Sequence, residues 1–245
     1  MTKRKRITTQ GVELIELVIA QTQADPNAIA GFCGDSPLPN PQPLLPETLE
    51  KLTFPSGKPL PPSLRRWLAF DASWLASFGW FKEGELGVFA PRTIGEIATA
   101  EYDEPLNADF PSLNGVWGEM FAGLDERCGE CFLLPGGSDS RRVYSVAGEP
   151  DELGEYPVLV IDSDDLPYAA VMYPGFDVFM SDEAGIPGAT FDMGTYEDLS
   201  EDKRYASRIK HHANQRFGGA VGVEIGEPGW GFDADEDLVE SLHKE

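Results

Sequence analysis

The sequence predicts an α+β fold, with a mixed or largely antiparallel sheet flanked by helices. Three observations predict it. Short runs of strand-forming residues, punctuated by Pro, Gly and Asp, gather in the second half of the chain. Helical apolar spacing occurs near the start and again after residue 196. Strand and helix patterns do not alternate regularly, as a βαβ series requires.

The densest apolar stretch is residues 156–180, YPVLVIDSDDLPYAAVMYPGFDVFM. Val158, Leu159, Val160 and Ile161 form one interior strand. Asp162, Ser163, Asp164 and Asp165 form an acidic turn, because Asp side chains accept local backbone N–H bonds. Residues 168–173 form a second strand. Pro174-Gly175 reads as a turn, and residues 176–180 as a third strand of an antiparallel meander. Apolar residues on both faces require helices or a second layer to cover it.

The remaining elements follow in order. Residues 1–10 are basic and polar and read as a frayed terminus. Val12, Ile15 and Ile19, widened by Leu14, Leu17 and Val18, predict a short helix with Glu13 and Glu16 outward. Residues 31–62 hold nine prolines and read as irregular chain, interrupted by a helical turn near residues 47–52. A boundary is expected between residues 40 and 59. It divides an N-terminal helix and proline-rich extension, residues 1–44, from an α+β domain, residues 45–245.

In LPPSLRRWLAF, Leu64, Trp67 and Leu68 share a helix face, Arg65 and Arg66 lie off it, and Ser63 is positioned to cap. Residues 86–90 and 131–134 read as strands, and so do residues 141–146. Residues 93–98 read as a helical or turn segment, and 151–155 as an acidic loop. Residues 196–217 give the longest helical pattern, with Leu199, Tyr205, Ile209, Ala213 and Phe217 inward and Arg208 and Lys210 pointing away. Gly218-Gly219 stops it. Val221, Val223 and Ile225 predict a strand, GEPGWGFDADED a turn, and residues 235–243 a short acidic helix.

The net charge of −23 repels polyanions and argues against nucleic acid, while suiting a basic protein partner. No run of 18 apolar residues is present, so no membrane span is expected. The N-terminal apolar segment is interrupted by Glu13 and Glu16, which favours an amphipathic helix over a signal peptide. Three cysteines, Cys33, Cys128 and Cys131, argue against a disulfide scaffold and make the cytoplasm the expected compartment.

Two motifs suggest an alternative, a metal-dependent or thiol-based enzyme. Asp162-Ser163-Asp164 follows an apolar strand, where paired carboxylates can hold magnesium and a nucleophile. The haloacid-dehalogenase-like phosphatases use Asp-x-Asp-x-Thr at such a place, but Leu166 stands where the threonine belongs. Cys128 and Cys131 form a C-x-x-C pair, a redox motif when it opens a helix and half of a zinc site otherwise. His211 and His212 are adjacent, so their side chains diverge by about 100° and do not chelate together. No H-E-x-x-H, G-x-S-x-G or P-loop pattern is present. No cofactor is expected. The aromatic cluster Trp67, Phe70, Trp74, Phe78, Trp80 and Phe81 supplies core, with an exposed subset available for protein contact.

The segment Leu60-Pro61-Pro62-Ser63-Leu64-Arg65-Arg66-Trp67-Leu68 resembles the opening signature of the SMI1/KNR4 (SUKH) superfamily, a Leu-Pro pair followed by a helix that packs on the sheet. The later sheet core with its acidic turn, residues 156–180, is similar to that family's as well. The resemblance spans about residues 45–215. It implies an α+β fold and a non-enzymatic, protein-binding role, commonly that of an immunity protein neutralising a toxin domain. Trp67, Trp74, Trp80, Asp162, Asp164 and Asp165 are the residues expected to define the fold or the interaction surface.

Overall fold

A computed structural model of the chain describes residues 8–29, 41–54, 57–72, 92–93, 130–134, 141–162, 168–189, 202–213, 222–223 and 231–233. It is an α+β fold with an antiparallel sheet flanked by helices. The helices are α1 (Val12–Ala24), α2 (Pro46–Leu49), α3 (Pro62–Leu68), α4 (Phe176–Glu183) and α5 (Ala206–Ala213). The strands are β1 (Arg92–Thr93), β2 (Glu130–Leu134), β3 (Arg141–Val146), β4 (Val158–Asp162), β5 (Tyr168–Tyr173), β6 (Gly222–Val223) and β7 (Gly231–Asp233). They hydrogen-bond in the order β1-β2-β3-β4-β5-β7-β6.

The middle of the sheet follows the apolar runs. Strands β3, β4 and β5 pair antiparallel, with Val143 opposite Val160 and Val158 opposite Tyr173. A register shift at Val158/Leu159 leaves Met172 unpaired, so Val171 faces Leu159 while Tyr173 faces Val158. A bulge of this kind inverts the usual two-residue alternation. It puts Tyr173 with Val158, Val143 and Leu134 on the side that joins the helical core. Tyr144, Val146, Leu159 and Val171 are buried too, on the opposite face.

On the helical side, α1 buries Leu14, Ile15, Val18 and Ile19 and exposes Glu13 and Glu16. It also exposes Val12 and Leu17, which the pattern placed on the apolar stripe, because they fall at its margins. Its apolar stripe lies against α3 and α4, in one core with Leu64, Trp67, Phe176 and Phe179. Trp67 meets Phe70 edge-on at 5.3 Å, and Phe179 meets Tyr173 at 5.5 Å. Among the described residues no helix is long and apolar enough to cross a membrane.

The structure corrects four expectations. Residues 176–180 open helix α4 rather than forming a strand. Their apolar run is too short to fix its period, and Phe176, Phe179 and Met180 also satisfy the i, i+3, i+4 spacing of a helix. Gly231–Asp233, expected as a turn, is strand β7, bonded to both β5 and β6. Thr93, expected to begin a helical or turn segment, pairs with Glu130 in the sheet. Ser63 does not cap α3, because Pro61 is the N-cap and Ser63 lies within the first turn. Residues 86–90 and 235–243 lie outside the described residues.

Candidate functional site

The main polar cluster among the described residues centres on Arg208, which the sequence pattern aimed at solvent. Its side chain is 1% exposed. On α5 the buried positions are Arg208, Ile209 and His212, preceded by Tyr205, which is the 3–4 spacing of a core-facing stripe. Arg208 occupies a core position because carboxylates on two other segments meet it there.

Asp177, in the first turn of α4, takes two parallel bonds from the guanidinium, each 2.9 Å. This fork-to-fork pairing is among the stronger hydrogen-bonded geometries in proteins. Asp151, from the loop before β4, accepts Arg208 Nε at 2.5 Å. Gln10 Oε1 accepts from Nη1 at 3.0 Å, and the Pro174 carbonyl from Nη2 at 3.4 Å. Gln10, expected in a frayed terminus, thus joins the interior network, and its amide also donates to the Arg204 carbonyl.

Each carboxylate also holds backbone. Asp177 Oδ2 accepts the Gly11 N–H at 2.6 Å, ahead of α1. Asp151 Oδ1 accepts the N–H groups of Leu153 at 2.8 Å and Glu155 at 3.0 Å. Glu155 accepts the Ser63 N–H at 2.9 Å and the Ser63 hydroxyl at 2.5 Å. The Glu155 carboxyl therefore satisfies an N–H of the first turn of α3, the task the sequence had assigned to Ser63 itself. The acidic loop of residues 151–155 is a junction between α1, α3, α4 and α5.

Burial and neighbouring charge divide the protonation states. Burial raises the Asp151 carboxyl, but the His212 contact and the Arg208 charge outweigh it and hold it at about 2. Burial, reinforced by the Asp177 charge, pushes Glu155 up to about 8 against the Ser63 donors. Burial lowers His212, although Asp151 lies 3.6 Å from its Nε2. Burial likewise lowers Arg208, and the two aspartates more than reverse it, so the guanidinium stays charged.

Gly175 makes room for this packing. A Cβ there would stand 2.7 Å from Asp177 Oδ1 and 2.8 Å from the Glu155 Cβ, and would strike the Arg208 guanidinium. The same cluster anchors α5 at its start, where the Asp202 carboxylate pairs with Arg204 at 2.6 Å and the Tyr205 hydroxyl donates to the Ala189 carbonyl at 2.7 Å.

The residues singled out from the sequence lie elsewhere. Trp67 is fully buried in the core, and its indole N–H has no hydrogen-bond partner among the described residues. Asp162 ends β4, paired with Arg141 and Tyr168 across the sheet. Cys131 lies in β2 opposite Val146. Trp74, Trp80, Asp164, Asp165, Cys33 and Cys128 are outside the described residues. His211 is exposed, with Nε2 3.3 Å from the Glu149 carbonyl, and His212 is buried, yet their rings meet edge-on at 5.2 Å rather than diverging. Among the described residues no group of three or more His, Cys, Asp or Glu is arranged to hold a metal ion.

Sequence reasoning missed Arg208, Asp177, Asp151 and Glu155. The available signal was Arg208 falling on the stripe of Tyr205 and Ile209, which predicts a buried cation in need of carboxylates. Comparison with protein-family models, with curated proteins and with solved structures finds no match.

Proposed function

We propose that this chain is a non-enzymatic protein-binding module for a basic protein, acting as an immunity protein that neutralises a cognate toxin domain. The distribution of charge carries the reading. The chain has 42 acidic against 19 Lys and Arg residues. Among the described residues, Glu13, Glu16, Asp25, Glu47, Glu50, Glu149 and Glu152 are exposed, against only Lys51, Lys203 and Lys210. Arg208 is withdrawn into the interior and compensated there. The outward field is therefore negative, which steers a cationic partner and repels nucleic acid. The likeness of residues 60–68 to the SUKH opening helix supports a toxin domain as that partner. In this reading the cytoplasm is where the two proteins meet, and occupation of the toxin's surface is the whole activity.

The test is co-expression with the product of the reading frame beside its own gene. The expected result is a complex that survives purification, with growth restored in cells making the toxin. Association should slow as salt rises, because steering is screened. If the two proteins neither associate nor protect, the reading fails.

A further inference from the structure

We propose that Val12 and Leu153 form the apolar centre of the docking surface, rimmed by Glu13 and Glu152, and that it receives a basic amphipathic segment of the partner protein. The proposal rests on the reading of a basic protein partner given above.

Val12 is 38% exposed and Leu153 39%. A lone exposed apolar side chain is ordinary on a protein surface. These two come from segments about 140 residues apart that meet at Gly11. Leu153 Cδ1 lies 3.7 Å from where a Cβ on Gly11 would stand, and Gly11 directly precedes Val12. Pro62, at the start of α3, borders the same loop, lying 3.2 Å from a Cβ position on Gly154. The Glu16–Arg66 ion pair, at 2.5 and 2.9 Å, continues the surface between α1 and α3.

Both apolar residues ride on backbone held from beneath by the partners of Arg208. Asp177 binds the N–H of Gly11, immediately before Val12. Asp151 binds the N–H of Leu153 itself. The Gly154 N–H returns to the Asp151 carbonyl at 2.9 Å, closing the turn with Gly154 at φ 79°. One buried guanidinium thus fixes the two points from which the apolar side chains project. A surface ordered before binding loses little conformational entropy when a partner arrives. The occupant follows from the chemistry. Val12 and Leu153 call for apolar contact, and Glu13 and Glu152 favour Lys or Arg around it, which together describe one face of a basic amphipathic helix.

The test titrates the full chain into a fluorescent helical peptide of about 18 residues, built from Leu and Lys in amphipathic order. The comparison peptide has Ser in place of Leu. The unsubstituted chain should bind the Leu/Lys peptide more tightly than the Ser/Lys peptide. Val12→Ser with Leu153→Ser should weaken binding by about tenfold or more, as loss of a central anchor does. Leu45→Ser, at a site 67% exposed before α2, should change it less than about twofold. Equal effects in the two variants, or none in the first, overturn the surface and leave the basic-partner reading standing. Failure of the Leu/Lys peptide to bind the unsubstituted chain overturns that reading as well. A concentration-dependent dimer abolished by the Val12/Leu153 variant would overturn the proposal in favour of a second copy of this chain.

Discussion

A guanidinium enters an apolar core only when its donors and its charge are both answered there. Arg208 meets that condition through Asp177, Asp151, Gln10 and the Pro174 carbonyl. Arg208→Met should destabilise the fold by about 3–5 kcal/mol, because it leaves two buried carboxylates without their cation. Urea unfolding measures this, and Arg208→Lys should lie between, since an ammonium keeps the charge and loses the fork. Glu155 behaves oppositely. Its carboxyl ionises at about 8 in the fold against 4.5 ordinarily, so over that window the folded chain retains a proton that the unfolded chain has released. Rising pH therefore removes stability through this group. Glu155→Gln keeps an acceptor for Ser63 and cannot ionise. Relative to the parent chain it should gain stability progressively between pH 4.5 and 8. Denaturant midpoints across that range check it, and parallel pH profiles for the two proteins would refute the assignment.

At the scale of elements, the junction before α4 depends on the absence of a side chain. Gly175 has an extended backbone, so Gly175→Ala acts through collision with Asp177, Arg208 and the Glu155 Cβ rather than through φ. It should cost about 1–3 kcal/mol, as overpacking does. Gly57, at φ 85° with nothing within 4 Å of a Cβ, provides the contrast. Gly57→Ala there should cost about 1 kcal/mol, from left-handed backbone strain alone. Thermal unfolding of the two variants separates the mechanisms, because only the first also disturbs the Arg208 cluster. Legibility of the elements divides in the same way. Helix α1 and strands β3, β4 and β5 were readable because each satisfies one period over enough residues. Helix α4 was not, because its five leading residues fit a strand and a helix equally. Strand β7 was not, because three residues carry no period and β5 supplies the pairing.

At the scale of the whole molecule, the described residues Asp151, Glu155, Glu183 and His212 shape the pH profile. His212 has a folded value below 6.5, so the unfolded chain binds a proton that the folded chain does not, and falling pH removes stability. Glu155 loses stability with rising pH from 4.5 to about 8. Glu183, pushed up to about 7 by burial and the Asp182 charge, likewise loses stability with rising pH from 4.5 to about 7. Below pH 6.5 His212 opposes the two carboxyls, and below 3.8 the Asp151 contribution, about 2 kcal/mol, is lost as pH falls toward 2. Above about pH 7 Glu155 continues to remove stability until about pH 8. A stability profile from pH 2 to 9 tests this, and stability rising from pH 7 to 8 would contradict it. The charge of −23 adds self-repulsion, so moderate salt should raise the melting temperature of the free chain even while it slows association with a basic partner.

The sequence by itself determined the α+β class, the acidic field, the amphipathic face of α1 and the central strands. These are set by composition and by periods that local geometry imposes on consecutive residues. Only the tertiary structure decided that Phe176 opens a helix, that Glu155 rather than Ser63 answers the start of α3, and that Arg208 turns inward. Each of those outcomes depends on groups far apart in the chain. The carboxylate that makes Arg208 tolerable in the core lies 57 residues away at Asp151 or 31 away at Asp177. An isolated arginine on a helix reads as a surface residue, and its desolvation becomes affordable only where folding has brought two carboxylates to it.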